Sequence, residues 1–181
     1  IMNMDLETGV SIMKIAPELD TGPVLIQSKI KITKETNYKE LSSKMSKLGA
    51  KLILDTLKII ESKKVNFIEQ NDSKATYAKK IDKTESRLNW NDDAEKVIAK
   101  INAFNPSPGC WFEFNRVRIK IIKAKHVSSK GIPGTILDEK LTIACSKNAI
   151  QIIELQKEGK QKITAVEFLR GNKIKTGQSL N

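Results

Sequence analysis

The chain is short of the side chains that most often carry chemistry on their own. Its 181 residues include two cysteines and one histidine, and aromatic residues make up only 5%. Cys110 and Cys145 lack the spacing of a metal-binding pair, so both read as buried small hydrophobes, as expected in a reducing cytoplasm. His126 stands alone, which excludes any internal site that needs a second imidazole, and no metal site is expected. No apolar run approaches the ~20 residues of a membrane span, and no signal-peptide pattern is seen. Acidic residues are the minority charge: 21 Asp and Glu face 32 Lys and Arg, a formal net charge of +11. That excess points to a polyanionic partner. Nucleic acid comes before membrane, because no basic amphipathic helix of the membrane type appears.

What is present supports a folded protein. An apolar content of 39% suffices for a packed core and excludes global disorder, and the length allows one large domain or two small ones. The organising stretch is residues 9–32, GVSIMKIAPELDTGPVLIQSKIKI, in which two strand-like runs flank a loop carrying Asp20, Thr21 and Gly22. Val10, Ile12, Met13 and Ile15 form the first run, which Pro17 ends. In the second, Ile30 and Ile32 face one way and Lys29 and Lys31 the other. An acid on a tight turn between buried strands is where α/β enzymes often place a catalytic group. The plainer alternative is a turn aspartate bonded to its own backbone.

Asn37 with Glu40 reads as a capping box opening a helix of about seven turns. Tyr38, Leu41, Met45, Leu48, Leu52, Leu57 and Ile60 mark its apolar face, with a phase slip near Ile53. Such a helix needs a sheet to cover, and two strands are too few. The expectation is that the sheet lies upstream of Ile1 and that the chain, which opens in mid-pattern, is a fragment.

Residues 75–90, ATYAKKIDKTESRLNW, have no sustained period and read as a basic linker with Lys79, Lys80, Lys83 and Arg87. Either this charge is simply solvated or it touches nucleic acid. Asn91 is expected to cap a second helix, with Asp92 and Asp93 in its first turn and Ala94, Val97, Ile98, Ile101 and Phe104 on its buried face. The segment NPSPG at 105–109 stops it. Strands are then expected at 110–114, 117–125, 134–137, 141–145 and 149–155, as in a small barrel or sandwich. Thr164 with Glu167 forms another capping box, for a short helix ending at Gly171.

Basic residues cluster in this half. Arg116, Arg118, Lys120, Lys123, Lys125 and Lys130 fall within fifteen residues that contain no acid. On a strand, Arg116, Arg118 and Lys120 would share a wet face, with Val117, Ile119 and Ile121 turned to the core. A solubilising edge is one reading. Phosphate-backbone binding is the preferred one. Trp111, Phe112 and Phe114 have the chemistry to stack bases, but an aromatic strand after a helix is more often core, and core is expected.

The segments TGVSIMKIAPELDTGPVL (8–25), TYAKKIDKTESRLNW (76–90), INAFNPSPGCW (101–111), PGTIL (133–137) and IQIIELQKEGKQKITAVEFLRG (150–171) occur in a distinctive order and spacing. In that order they resemble the C-terminal portion of the methionyl-tRNA formyltransferase family. The DTG segment alone is shared with other folate-dependent formyltransferases, whereas the linker with the NPSPG–Trp junction is more specific to the tRNA-directed branch. The resemblance implies an α/β plus β fold: a C-terminal piece of a Rossmann-like formyltransferase domain at 1–67, a basic linker at 68–90, and an OB-like, tRNA-binding β-barrel at 91–181.

The implied reaction moves a formyl group from 10-formyltetrahydrofolate to the amino group of methionyl initiator tRNA for translation initiation, without a metal. It implies a cytoplasmic protein, monomeric once completed. The family site uses an asparagine, a histidine and the DTG aspartate, and only the aspartate carries over, onto Asp20. In such a site the asparagine and histidine would stabilise the oxyanion. The carboxylate would hold the imidazole or relay the amine proton. Contacts to tRNA are expected from Lys79, Lys80, Lys83, Arg116, Arg118, Lys120 and Lys123. Two departures stand out: the asparagine–histidine pair and most of the folate pocket are missing, and Met4 stands where the family usually has glycine. The chain by itself is therefore expected to be inactive. The alternatives are a non-catalytic tRNA-binding remnant, or a folate-dependent formyltransferase with a small-molecule acceptor; the basic surface argues against the second.

Overall fold

The computed structural model describes residues 1–180 and divides into two compact units. One comprises residues 5–33 and 39–80; the other comprises 1–4, 34–38 and the chain from 81 onward.

In the first unit, strands β1 (Glu7–Met13) and β2 (Val24–Lys31) pair antiparallel from Glu7 opposite Lys31 to Met13 opposite Val24. The backbones approach closely at Gly9, where a Cβ would meet Ser28 O at 2.5 Å. Ile15, expected in the first strand, lies beyond it and is 93% exposed. The reason is local: the Lys14 N–H donates to Pro23 O at 3.0 Å, but Pro23 has no N–H to return the bond, and the ladder ends there.

Helix α1 (Tyr38–Glu61) follows. Its buried line runs through Leu41, Leu52 and Thr56, with Met45, Leu48 and Ile59 half-buried. This spacing keeps the 3.6-residue period throughout, so the apparent slip near Ile53 is not one. Leu57, Ile60 and Tyr38, expected on the buried face, are exposed, as are Ile53 and Leu54. Position on the helix, and not hydrophobicity, decides burial. Thr56 holds a core position although its Oγ1 finds no hydrogen-bond partner.

The second unit is a curled antiparallel sheet with two helices. Its strands are β3 (Cys110–Phe114), β4 (Val117–Val127), β5 (Thr142–Ala144), β6 (Ala149–Lys157) and β7 (Lys162–Thr164). The order is β3-β4-β6, with β5 and β7 each pairing the far edge of β6. Helices α2 (Ala94–Phe104) and α3 (Ala165–Arg170) close the core, where Phe104, Phe112 and Phe168 are at most 2% exposed.

Several expectations shift here. Residues 134–137 make no strand, only single bridges from Thr135 to Ser179 and from Ile136 to Ile143. Strand β7 carries a single apolar residue, Ile163, which left no pattern to read. Helix α2 is capped by Asp93, so neither Asp92 nor Asp93 lies in its first turn. Asn91 instead donates its N–H to Asn89 Oδ1, and the Asp93 carboxylate accepts from Ser146 Oγ at 2.8 Å. The α3 capping box is present in both directions, between Thr164 and Glu167, and the helix ends at Gly171. No described helix is long and apolar enough to cross a membrane.

Candidate catalytic loop and cationic face

The loop between β1 and β2 is held at its backbone. Gln70 Nε2 donates to Asp20 O at 2.8 Å and to Gly22 O at 2.7 Å, which uses both amide hydrogens. Val24 and Ile68 exchange both backbone hydrogen bonds, at 2.8 and 2.9 Å. Ile68 and Gln70, placed by the resemblance in the linker at 68–90, are thus bonded to the hairpin. Thr21 Oγ1 donates to Glu18 O at 3.2 Å. Gly22 is buried, and a Cβ there would sit 1.7 Å from Lys14 O, so only glycine fits.

Asp20 has φ 61°, a left-handed conformation that aspartate tolerates better than most residues. Its carboxylate has no hydrogen-bond or ion-pair partner among the described residues, so the self-bonded Asx-turn does not form. A pinned backbone therefore presents an exposed carboxylate, able to accept a proton or to orient a cation. Met4, in the other unit, takes φ 59°, the conformation a glycine would favour at that position.

The cationic face is built by β4. Asn115 (φ 51°) and Arg116 (φ 62°) form a two-residue hairpin turn between the paired Phe114 and Val117. Arg116 is therefore on the turn and not on the strand face, and Val117 at its mouth is 41% exposed. Arg118 and Lys120 stand on the outer face, opposite Glu113 and Trp111. Beyond Ile121 the register shifts, so that Lys123 faces Glu154 and Lys125 faces Gln151. The extra residue at 122 reverses the alternation and sets Lys123 and Lys125 on the same side as Arg118 and Lys120.

Lys120 is partly committed elsewhere: its Nζ donates to Pro106 O at 2.7 Å, and its stem fills the space over Gly109. Phe112 and Phe114 are core, as expected, but Trp111 is only half-buried on the outer face. The guanidinium groups of Arg118 and Arg87 lie 4.4 and 5.8 Å from its ring centroid.

Lys79, Lys80 and Lys83 are exposed and have no ion-pair partner among the described residues. Lys83 opens a 3-10 turn (Lys83–Ser86) whose capping box joins Asp82 and Glu85. Hydrogen bonds from the Thr84 N–H and hydroxyl hold the Asp82 carboxyl below its usual range. Arg87 and Lys125 belong to the basic stretches read from the sequence, though not to the named tRNA contacts. Arg87 sits at the end of a stretch without strong periodicity, and Lys125 reaches the face only through the register shift. Burial pushes the Cys110 and Cys145 thiols up to about 12, so neither is a nucleophile near neutrality. No cluster of three His, Cys, Asp or Glu gathers for a metal among the described residues.

The formyl transferase C-terminal domain matches residues 80–173, and the formyl transferase family matches residues 1–57. The chain belongs to the formyl transferase family. It is 42% identical, over 181 residues and 99% of its length, to the methionyl-tRNA formyltransferase of Pelagibacter ubique, of which it spans 58%. Among solved structures it is similar to HypX from Aquifex aeolicus in complex with tetrahydrofolic acid, with a TM-score of 0.68 and 19% identity, covering 98% of this chain and 35% of that one. It is also similar to methionyl-tRNA formyltransferase from Clostridium thermocellum, with a TM-score of 0.52 and 17% identity, covering 84% and 60%. These likenesses show the formyltransferase fold: part of its Rossmann-like unit, then a curled antiparallel sheet.

Proposed function

We propose that the chain serves a methionyl-tRNA formyltransferase, which moves the formyl group of 10-formyltetrahydrofolate to the α-amine of methionyl initiator tRNA in the cytoplasm. The observation that carries this reading is the 42% identity, spread along the whole chain, to a relative of that name. The loop geometry supports it: a carboxylate is held at a fixed point by Gln70 and Gly22 and makes no bond of its own.

In this reading the neutral amine attacks the formyl carbon, negative charge gathers on the carbonyl oxygen, and the nitrogen sheds a proton. Asp20 holds or relays that proton. The adduct then collapses as the bond from the formyl carbon to folate N10 breaks and N10 takes up a proton, releasing tetrahydrofolate. The oxyanion donors of the family, an asparagine and a histidine, are not supplied by this chain, whose one histidine lies on β4. The curled sheet of the second unit acts as an OB-like, tRNA-binding barrel, and Arg118, Lys120 and Lys123 meet phosphates from its outer face. Lys79, Lys80 and Lys83 are read as further contacts of their own to the tRNA.

The test is a chimera in which this chain replaces the matching part of the Pelagibacter ubique enzyme, assayed for formylation of methionyl-tRNA. We expect activity, and we expect Asp20→Ala to lower kcat by about a hundredfold or more, the scale of a lost general acid–base group. Undiminished kcat in that variant would remove Asp20 from the site. A chimera that formylates a sugar amine but not methionyl-tRNA would overturn the acceptor.

A further inference from the structure

Residues 86–90 alternate strictly, with Ser86, Leu88 and Trp90 buried and Arg87 and Asn89 exposed. The Leu88 N–H donates to Trp111 O at 2.9 Å, and Arg87 pairs with Trp111 in a parallel bridge. This stretch therefore meets β3 through one parallel bridge, which sets Arg87 next to Trp111 on the outer face. From the other side Arg118 reaches the same indole as a diagonal neighbour, since Trp111 faces Lys120 and Arg118 is two residues away. Three adjacent segments thus supply one row: Arg87, Trp111, Arg118.

The charge in this row is uncompensated. Neither guanidinium has a carboxylate partner among the described residues, although Glu113 faces Arg118 directly across the ladder. Two cations held at one indole lack a counter-charge, which a phosphate within reach of both would supply. A guanidinium lying on an aromatic face keeps its in-plane N–H groups free, and the stacking fixes its geometry before any ligand arrives. Arg87 and Glu113 also border a groove of about 250 Å³, room for the nucleoside that follows a phosphate.

We propose that Arg87 and Arg118, held by Trp111, form a clamp that grips one phosphodiester of the bound RNA. The proposal rests on the reading of tRNA as the partner. It differs from a general basic face in assigning one phosphate to two arginines and one indole.

The test is a titration of the full 181-residue chain with unacylated tRNA across a salt series. Arg87→Gln and Arg118→Gln should each weaken binding about tenfold, the scale of one charge-assisted hydrogen bond. Each should lower the log–log salt slope by about 0.7–0.9, the contribution of one phosphate. The double variant should bind little worse than either single one. Arg118→Lys, which keeps the charge but not the planar fork, should remain several-fold weak. Trp111→Leu should weaken binding with net charge unchanged.

A double variant that binds like the wild type, while Lys123→Gln with Lys125→Gln loses affinity, would overturn the clamp and leave the tRNA reading standing. Losses that multiply, with the slope falling by two contacts, would overturn the shared phosphate. Displacement of tRNA by millimolar inorganic phosphate at constant ionic strength would show that a free phosphate, and not a polymer, is the ligand. Absence of tRNA binding by the wild type at low salt would overturn the clamp and the tRNA reading together.

Discussion

The two units reach order by different routes. In the second, residues from Leu88 to Leu180 share one hydrophobic cluster, with Trp90 set edge-on to Phe112 at 5.9 Å and Phe114 to Phe168 at 6.3 Å. In the first, few large apolar side chains are buried, chiefly Ile32, Leu41 and Leu52, while Ile53, Leu54, Leu57 and Ile60 remain exposed along α1. Its functional loop is ordered by hydrogen bonds instead, from Gln70 and across the β1–β2 ladder. A packed core feels a volume change of even one methylene, whereas a hydrogen-bonded loop depends on the few groups that make its bonds, here the Gln70 amide and the backbone. The first unit can therefore carry an exposed acid on fixed backbone, and the second can carry charged rows on a rigid sheet.

The largest expected effect tests the core. Phe168→Ala should cost about 3–5 kcal/mol, as for other buried aromatic truncations, read as the unfolding midpoint of the second unit. A loss below about 1 kcal/mol would mean that the cluster does not bear the load assigned to it. Next comes Gly22→Ala, whose Cβ overlaps Lys14 O at 1.7 Å. It should cost about 1–3 kcal/mol, the usual scale of overpacking. Amide exchange should then quicken in β1 and β2 and stay unchanged in β3 to β6; a uniform response would merge the two routes.

A smaller effect concerns acid. Burial alone would raise the Asp138 pKa, but hydrogen bonds from Thr142 Oγ1 (2.7 Å), the Lys140 N–H and the Thr142 N–H outweigh it and hold the carboxyl below the usual aspartate range. A depressed folded pKa stabilises the protein above the unfolded value, near 3.9, and that stability is lost as pH falls through the folded pKa. Asp138→Ala should therefore be destabilising at pH 7, and its difference from the wild type should shrink below about pH 4. A pH-independent difference would assign the effect to packing. The smallest effect belongs to Asp20→Asn, which should move the unfolding midpoint by no more than about 0.5 kcal/mol, since its carboxylate makes no bond. A larger loss would give Asp20 a structural role and blur the contrast.

What could be read from the linear chain was local. The turn chemistry around Asp20, the length of α1, the stop at 105–109 and the Thr164–Glu167 box depend on residues within a few positions of each other. The exposed face of α1 also follows from periodicity, once Thr56 is counted as a core position despite its hydroxyl. The features that make the sites were decided by tertiary structure. Gln70 reaches Asp20 across fifty residues, a span no periodic pattern encodes. Lys123 and Lys125 join Arg118 only because the ladder slips at residue 122, and register belongs to a pair of strands and not to one. Arg87 meets Trp111 because a parallel bridge joins it to β3, where burial of Leu88 and Trp90 turns the arginine outward. Which residues carry charge, and where the chain turns, is written in local order; the non-local pairing of strands sets which charges stand together, since cross-strand neighbours are chosen by distance in space and not along the chain.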